Sequence, residues 1–169
     1  VEEVVIHDSS IRLNDEYTYN YCTIGGGTNG SFGSIDIQNS QIHIPSSGGN
    51  TAIGNGWQVY YNRESRIRIA NSEVSVRCAS LGPAIGAAWD SGSGRINIII
   101  ENSTVTAKGG NLRTDGNYVP GIGKNALGRA PEIGIQILNS TVDSFRLREK
   151  EDTDYVYDDL HLSLIHISE

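Results

Sequence analysis

One phrase returns along this chain, and it dictates what the chain can become. It reads Ile35-Asp36-Ile37-Gln38-Asn39-Ser40-Gln41-Ile42-His43-Ile44 at its first clear appearance. It comes back within Ser65–Val76, as Ile98–Ala107 and as Ile135–Ser144, and more loosely as Val4–Leu13. Each copy alternates apolar and polar residues, breaks at Asn-Ser (Asp8-Ser9 in the first), and alternates again. A side-chain period of two means strands, so each copy is two short strands meeting at an Asn corner. From Asp8 through Asn39, Asn71, Asn102 and Asn139 the corners are 31, 32, 31 and 37 residues apart.

A second landmark keeps step: Ile24-Gly25, Ile53-Gly54, Ile85-Gly86 and Ile122-Gly123 follow the corners by 16, 14, 14 and 20 residues. Each unit therefore offers three short extended pieces with turns between. No 3.6-residue period of useful length interrupts them. Repeats of this length stack as a solenoid, in which every unit buries its apolar side on its neighbours. The expected fold is all-β: a right-handed parallel β-helix, a single-stranded solenoid with three short strands per coil. The handedness follows from the general preference of parallel crossovers.

Stacking in register names the interior columns. Val4, Ile35, Ile67, Ile98 and Ile135 form one; Ile6, Ile37, Ile69, Ile100 and Ile137 the next; Ile11, Ile42, Val74, Val105 and Val142 a third. Ile24, Ile53, Ile85 and Ile122 line the remaining wall. β-branched residues suit such a pleated stack. The Asn column is expected to form a ladder, each amide bonding to its neighbour or to the corner backbone. The long step of 37 residues places extra chain in the loop Lys108–Pro120. That surplus is either functional or neutral length drift.

Charge separates the chain into two parts, 1–147 and 148–169. The net charge is −7, but residues 148–169 hold seven acids against two bases, leaving 13 acids and 11 bases in 1–147. A body so balanced has no basic stripe for phosphate backbones, so no nucleic-acid partner is expected. No apolar run is long enough for a membrane-spanning helix, so no membrane insertion is expected. Cys22 and Cys78 fall at different points of the repeat, two repeats apart, and are expected to be free and mostly buried. Residues 148–169 read as an acidic linker followed by a tail. Ser163–Glu169 resembles translated library-adaptor sequence, and the whole chain reads as a piece of a longer protein.

Among residues that could carry chemistry, Trp57 and Trp89 each lie four residues after the Ile of an Ile-Gly landmark. In-register stacking sets them one rung apart on one edge, with Tyr60, Tyr61 and Asp90 nearby. Adjacent indoles rimmed by polar groups suit the faces of sugar rings. The plain alternative is an aromatic stack covering the wall. Tyr17, Tyr19 and Tyr21 form a second outward row, for a ligand or for packing.

Catalysis finds little to work with. Glycosidases and polysaccharide lyases need clustered carboxylates. The outward columns run Val5, Asp36, Arg68, Ile99, Gln136 and His7, Gln38, Ala70, Glu101, Leu138 on the first wall. On the second they run Ser10, Gln41, Glu73, Thr104, Thr141 and Arg12, His43, Ser75, Thr106, Asp143. None holds two acids, and Asp36 beside Arg68 reads as a cross-rung ion pair. Asp115-Gly116-Asn117 and Asp90-Ser91-Gly92 carry oxygen donors of the kind calcium takes, yet Asp-Gly is also a common turn. No cofactor is expected. The four histidines have no ligand spacing, and His43 reads as an exposed strand residue. The serines after each corner lack a His–Asp companion. Asn102 and Asn139 sit in Asn-Ser-Thr acceptor triplets for glycosylation, but their column position favours a structural role.

Ile-x-Ile-x-Asn-Ser-x-Val-x-Val followed by Ala-Ile-Gly or Gly-Ile-Gly resembles the parallel β-helix repeats of bacterial surface proteins of gut anaerobes, adhesin-like or carbohydrate-binding. The likeness covers residues 4–144. Ile24-Gly25-Gly26-Gly27 keeps the landmark best; Ile53-Gly54-Asn55-Gly56 and Ile85-Gly86-Ala87-Ala88 have drifted. The resemblance implies an extracellular or cell-surface location and a polysaccharide or host glycan as partner. The expected function is thus a non-catalytic glycan-binding or adhesin module, with Trp57 and Trp89 as platform and Tyr60, Tyr61 and Asp90 as rim. A purely structural spacer and a fragment of a polysaccharide-degrading enzyme are the alternatives.

Overall fold

The computed structural model describes residues 2–13, 22–27, 30–47, 51–56, 63–78, 82–88, 94–110, 119–125, 131–149 and 155–162. Every regular element in these segments is a strand. Each coil begins with a longer strand: β1 (Glu3–His7), β4 (Ser34–Gln38), β7 (Arg63–Ala70), β10 (Gly94–Glu101) and β13 (Glu132–Leu138). Past the corner comes β2 (Ser10–Arg12), β5 (Gln41–Ser47), β8 (Glu73–Cys78), β11 (Thr104–Lys108) or β14 (Thr141–Glu149). The third strand is always short: β3 (Ile24–Gly26), β6 (Ile53–Asn55), β9 (Ile85–Ala87) and β12 (Ile122–Lys124). A last strand, β15 (Tyr155–Leu162), follows.

Like strands stack on like. The first sheet runs β1-β4-β7-β10-β13, the second β15-β14-β11-β8-β5-β2 and the third β12-β9-β6-β3. All pairs are parallel except β14–β15, which is antiparallel. Every interior column named from the sequence is reproduced as register partners: Val4↔Ile35, Ile35↔Ile67, Ile67↔Ile98 and Ile98↔Ile135 on one wall, Ile53↔Ile85 and Ile85↔Ile122 on another. The chain is a parallel β-helix of three strands per coil. Its core is the stack of Ile, Val and Ala filling the three-sided interior, where Ile35, Ile67 and Ile98 are fully buried. Burying each such side chain contributes roughly 1.5–3 kcal/mol.

The corner is solved in a way that its sequence only half discloses. Asp8, Asn39, Asn71, Asn102 and Asn139 all have φ between 46° and 49°. This left-handed conformation is one that Asn and Asp tolerate best among residues bearing a side chain. Their side chains are exposed, and no amide-to-amide bond links them among the described residues. The expected Asn ladder is therefore replaced by a ladder of serines. Ser9, Ser40, Ser72 and Ser103 each donate their backbone N–H to the hydroxyl one rung along, at 3.1, 3.1, 3.0 and 3.0 Å. Each acceptor hydroxyl donates in turn to the carbonyl two residues before it, at 2.6–2.7 Å. A buried corner N–H without a partner would cost about 1–3 kcal/mol. The small hydroxyl fits inside the bend and satisfies it, while the larger amide turns out to solvent.

On the third wall, Gly86 has φ 132° and lies against the backbone of the next rung. A Cβ there would overlap the carbonyl oxygen of Gly123. That close approach accounts for the Ile-Gly landmark.

Two parts of the chain depart from the regular coil. The neck of the long loop is pinned: Gly109 N–H donates to Phe145 O at 2.9 Å and Gly110 N–H to Gly82 O at 3.0 Å. Tyr155–Leu162, expected to be acidic linker and tail, instead forms β15 and pairs with β14 from Val142 to Glu149. A free edge of a parallel sheet can accept a strand of either direction, so this segment needs no repeat pattern to dock there.

Candidate functional site

On the outer face of the first sheet, several charges satisfy one another. Arg68 Nη1 lies 3.3 Å from Asp36 Oδ1, and its Nη2 bonds Glu101 Oε1. Gln38 Nε2 donates to Asp36 Oδ2 at 2.9 Å, and His7 Nε2 lies 3.9 Å from the same oxygen. Asn97 Nδ2 donates to Glu64 Oε1 at 3.0 Å, and Asn97 Oδ1 accepts from Arg95 Nε at 2.9 Å. The expected Asp36–Arg68 pair is present, and Glu101 joins it diagonally from a neighbouring column. Such part-exposed pairs each contribute a fraction of a kcal/mol.

The second face is open. Along the corner runs a trough of about 440 Å³ lined by Asn39, Ser40, Gln41, Asn71, Ser72, Glu73, Asn102 and Thr104. It spans three rungs and is polar along its whole length. Beside it is a smaller depression of about 180 Å³, which includes Arg12, Gln41, His43 and Glu73 in its lining. Gln41 and Glu73 belong to both, so the two form one continuous surface. The side chains of Arg12, Gln41, His43 and Glu73 make no hydrogen bond or ion pair among the described residues.

No protein-family model, curated protein or solved structure matches this chain. The reading of the site thus rests on its own geometry.

The landmarks that precede Trp57 and Trp89 stack in register. Ile53 and Ile85 are register partners on the third sheet, as are Gly54 and Gly86. Trp57 and Trp89 therefore follow equivalent positions of adjacent coils, at the same offset. Trp57, Tyr60, Tyr61, Trp89 and Asp90 themselves lie outside the described residues. So do Tyr17, Tyr19 and Tyr21, and the Asp115-Gly116-Asn117 and Asp90-Ser91-Gly92 triplets.

Among the described residues, no three His, Cys, Asp or Glu side chains converge as metal ligands would. Neither cysteine forms a disulfide. The Cys22 thiol is pushed up to about 11, chiefly by burial, against the opposing effect of hydrogen bonding with the Thr51 hydroxyl and the backbone of Gly54 and Ile24. A thiol held protonated at neutral pH is a poor nucleophile. Cys22 packs as a structural residue, donating to Ile24 O at 3.0 Å and accepting from Thr51 Oγ1 at 3.2 Å.

The sequence columns already contained this surface. Arg12 precedes His43 in one, and Gln41 precedes Glu73 in the next. Searched for paired carboxylates, those columns had nothing to offer. The overlooked signal was a set of unlike polar groups with no evident partner on neighbouring rungs.

Proposed function

We propose that this protein is a non-catalytic glycan-binding or adhesive module of the cell surface, which lays an extended sugar chain along its Asn corner. The observation that carries the reading is the corner trough, open, polar and continuous across three rungs. Successive rungs repeat at about 4.8 Å, comparable to the length of one sugar ring in a chain. Each rung presents an outward amide with both donor and acceptor, matching the hydroxyls of successive sugars. A shallow strip of this kind suits a polymer better than a small molecule, which favours an enclosed apolar pocket. The Trp57 and Trp89 pair would add a stacking platform on the same module.

The test is a glycan array read with the wild type, with Asn71→Gly/Asn102→Gly, and with Trp57→Ala/Trp89→Ala. Glycine keeps the left-handed corner and removes only the amide. Two lost hydrogen bonds of about 0.5–1.5 kcal/mol each should weaken binding by roughly tenfold. Unchanged binding in the Gly variant would remove the trough from the reading, and unchanged binding in the Ala variant would remove the indoles.

A structural spacer is the second reading. Asp8 adopts φ 49° in the same column as the asparagines, so the conformation alone can account for the residue type. Absence of binding to every glycan on the array would decide for the spacer.

A further inference from the structure

The depression beside the trough has a chemistry of its own. Arg12 and His43 are register partners on adjacent strands, both outward and exposed. Their side chains stand about one rung apart, near 4.8 Å. Gln41 and Glu73 are likewise register partners, in the neighbouring outward column. These four polar side chains border one hollow and have no partner among the described residues. On the first sheet Arg68 is held by Asp36 and Glu101. Arg12 has no counter-ion among the described residues, and a cation so placed at the edge of a hollow can take an anion from outside.

We propose that this hollow binds the acidic sugar of a mixed glycan, with Arg12 and His43 taking a uronate carboxylate and Gln41 and Glu73 taking ring hydroxyls. The proposal rests on the glycan reading above and narrows it to a substrate class. Arg presents a planar donor fork that fits a carboxylate, and His43 adds a ring N–H from the adjoining rung. The Glu73 carboxylate accepts hydroxyl hydrogen bonds but repels a second anion. The ligand therefore carries its charge over the first two rungs and neutral sugars beyond, along the Asn corner that shares Gln41 and Glu73.

The experiment is an array of uronate-containing oligosaccharides, each paired with its own methyl ester, probed with the full chain. Acid and ester differ only in the charge. Wild type should prefer the acid by about tenfold, the effect of one charge-assisted bond. Arg12→Gln and His43→Gln should each reduce that preference, weakening binding of the acid more than binding of the ester. Both side chains are exposed, and an unaltered circular dichroism spectrum confirms that the coil is intact. Equal binding of acid and ester, or a preference that survives both substitutions, overturns the acidic-sugar site and leaves the glycan reading standing. Failure to bind any acid, ester or neutral glycan overturns both.

Discussion

Gly86→Ala is expected to cost more than about 4 kcal/mol, close to the whole stability of a marginal domain. Two penalties combine. A non-glycine residue at positive φ carries strain of about 1–3 kcal/mol, and Gly86 sits at φ 132°. The added Cβ also overlaps the Gly123 carbonyl oxygen, which is backbone and cannot rotate away. Gly123→Ala supplies the control within the same column. Its φ is 140°, but among the described residues its new Cβ would meet only the Pro120 side chain, with Cγ at 3.2 Å. It should lose the strain energy alone, about 1–3 kcal/mol. Urea denaturation followed by circular dichroism ranks the two. Equal midpoints would mean that adjacent coils do not approach as closely as this wall requires.

The second large effect is in the core. Ile98 and Ile135 are register partners in one interior column, yet Ile98 is 0% exposed and Ile135 is 43% exposed. The difference is positional: β10 has β7 and β13 on its two sides, whereas β13 is the end strand of its sheet. Ile98→Ala should therefore cost about 2–5 kcal/mol, combining lost burial with a cavity that neighbours on both rungs cannot close. Ile135→Ala, already open to water, should cost no more than about 1 kcal/mol. The same denaturation series reads both. In a solenoid each unit is stabilised mainly by its neighbours, so a defect in an inner coil weakens two interfaces and one at an end weakens one.

Most of the architecture was readable because register in a solenoid is written in the chain itself. A column such as Ile35, Ile67, Ile98 is both a sequence period and a physical stack, and pairing follows once the period is found. What the sequence hid has equally physical causes. Asn39 and Ser40 are adjacent polar residues, and only the bend decides which turns inward; the left-handed φ sends the amide out and the hydroxyl in. Glu101 reaches Arg68 diagonally, a contact that column-by-column reading cannot show. Tyr155–Leu162 lacks the repeat, so nothing in its pattern announced that it would pair with β14. The candidate site was legible only in part. Arg12, Gln41, His43 and Glu73 could be placed from their columns, but that they have no partner among the described residues is a property of the folded face.

Ser10 and Thr141 give the most direct test of the stacking on which everything above depends. They occupy one outward, exposed column through Gln41, Glu73 and Thr104. Cysteines introduced at both can be spin-labelled selectively in a Cys22→Ser background, because Cys78 is buried. Four rung spacings set the backbone separation at about 19 Å, and pulsed dipolar spectroscopy should return one narrow distribution near it, broadened by the label tethers. A broad distribution centred well beyond that distance would show that like positions of successive units do not lie above one another.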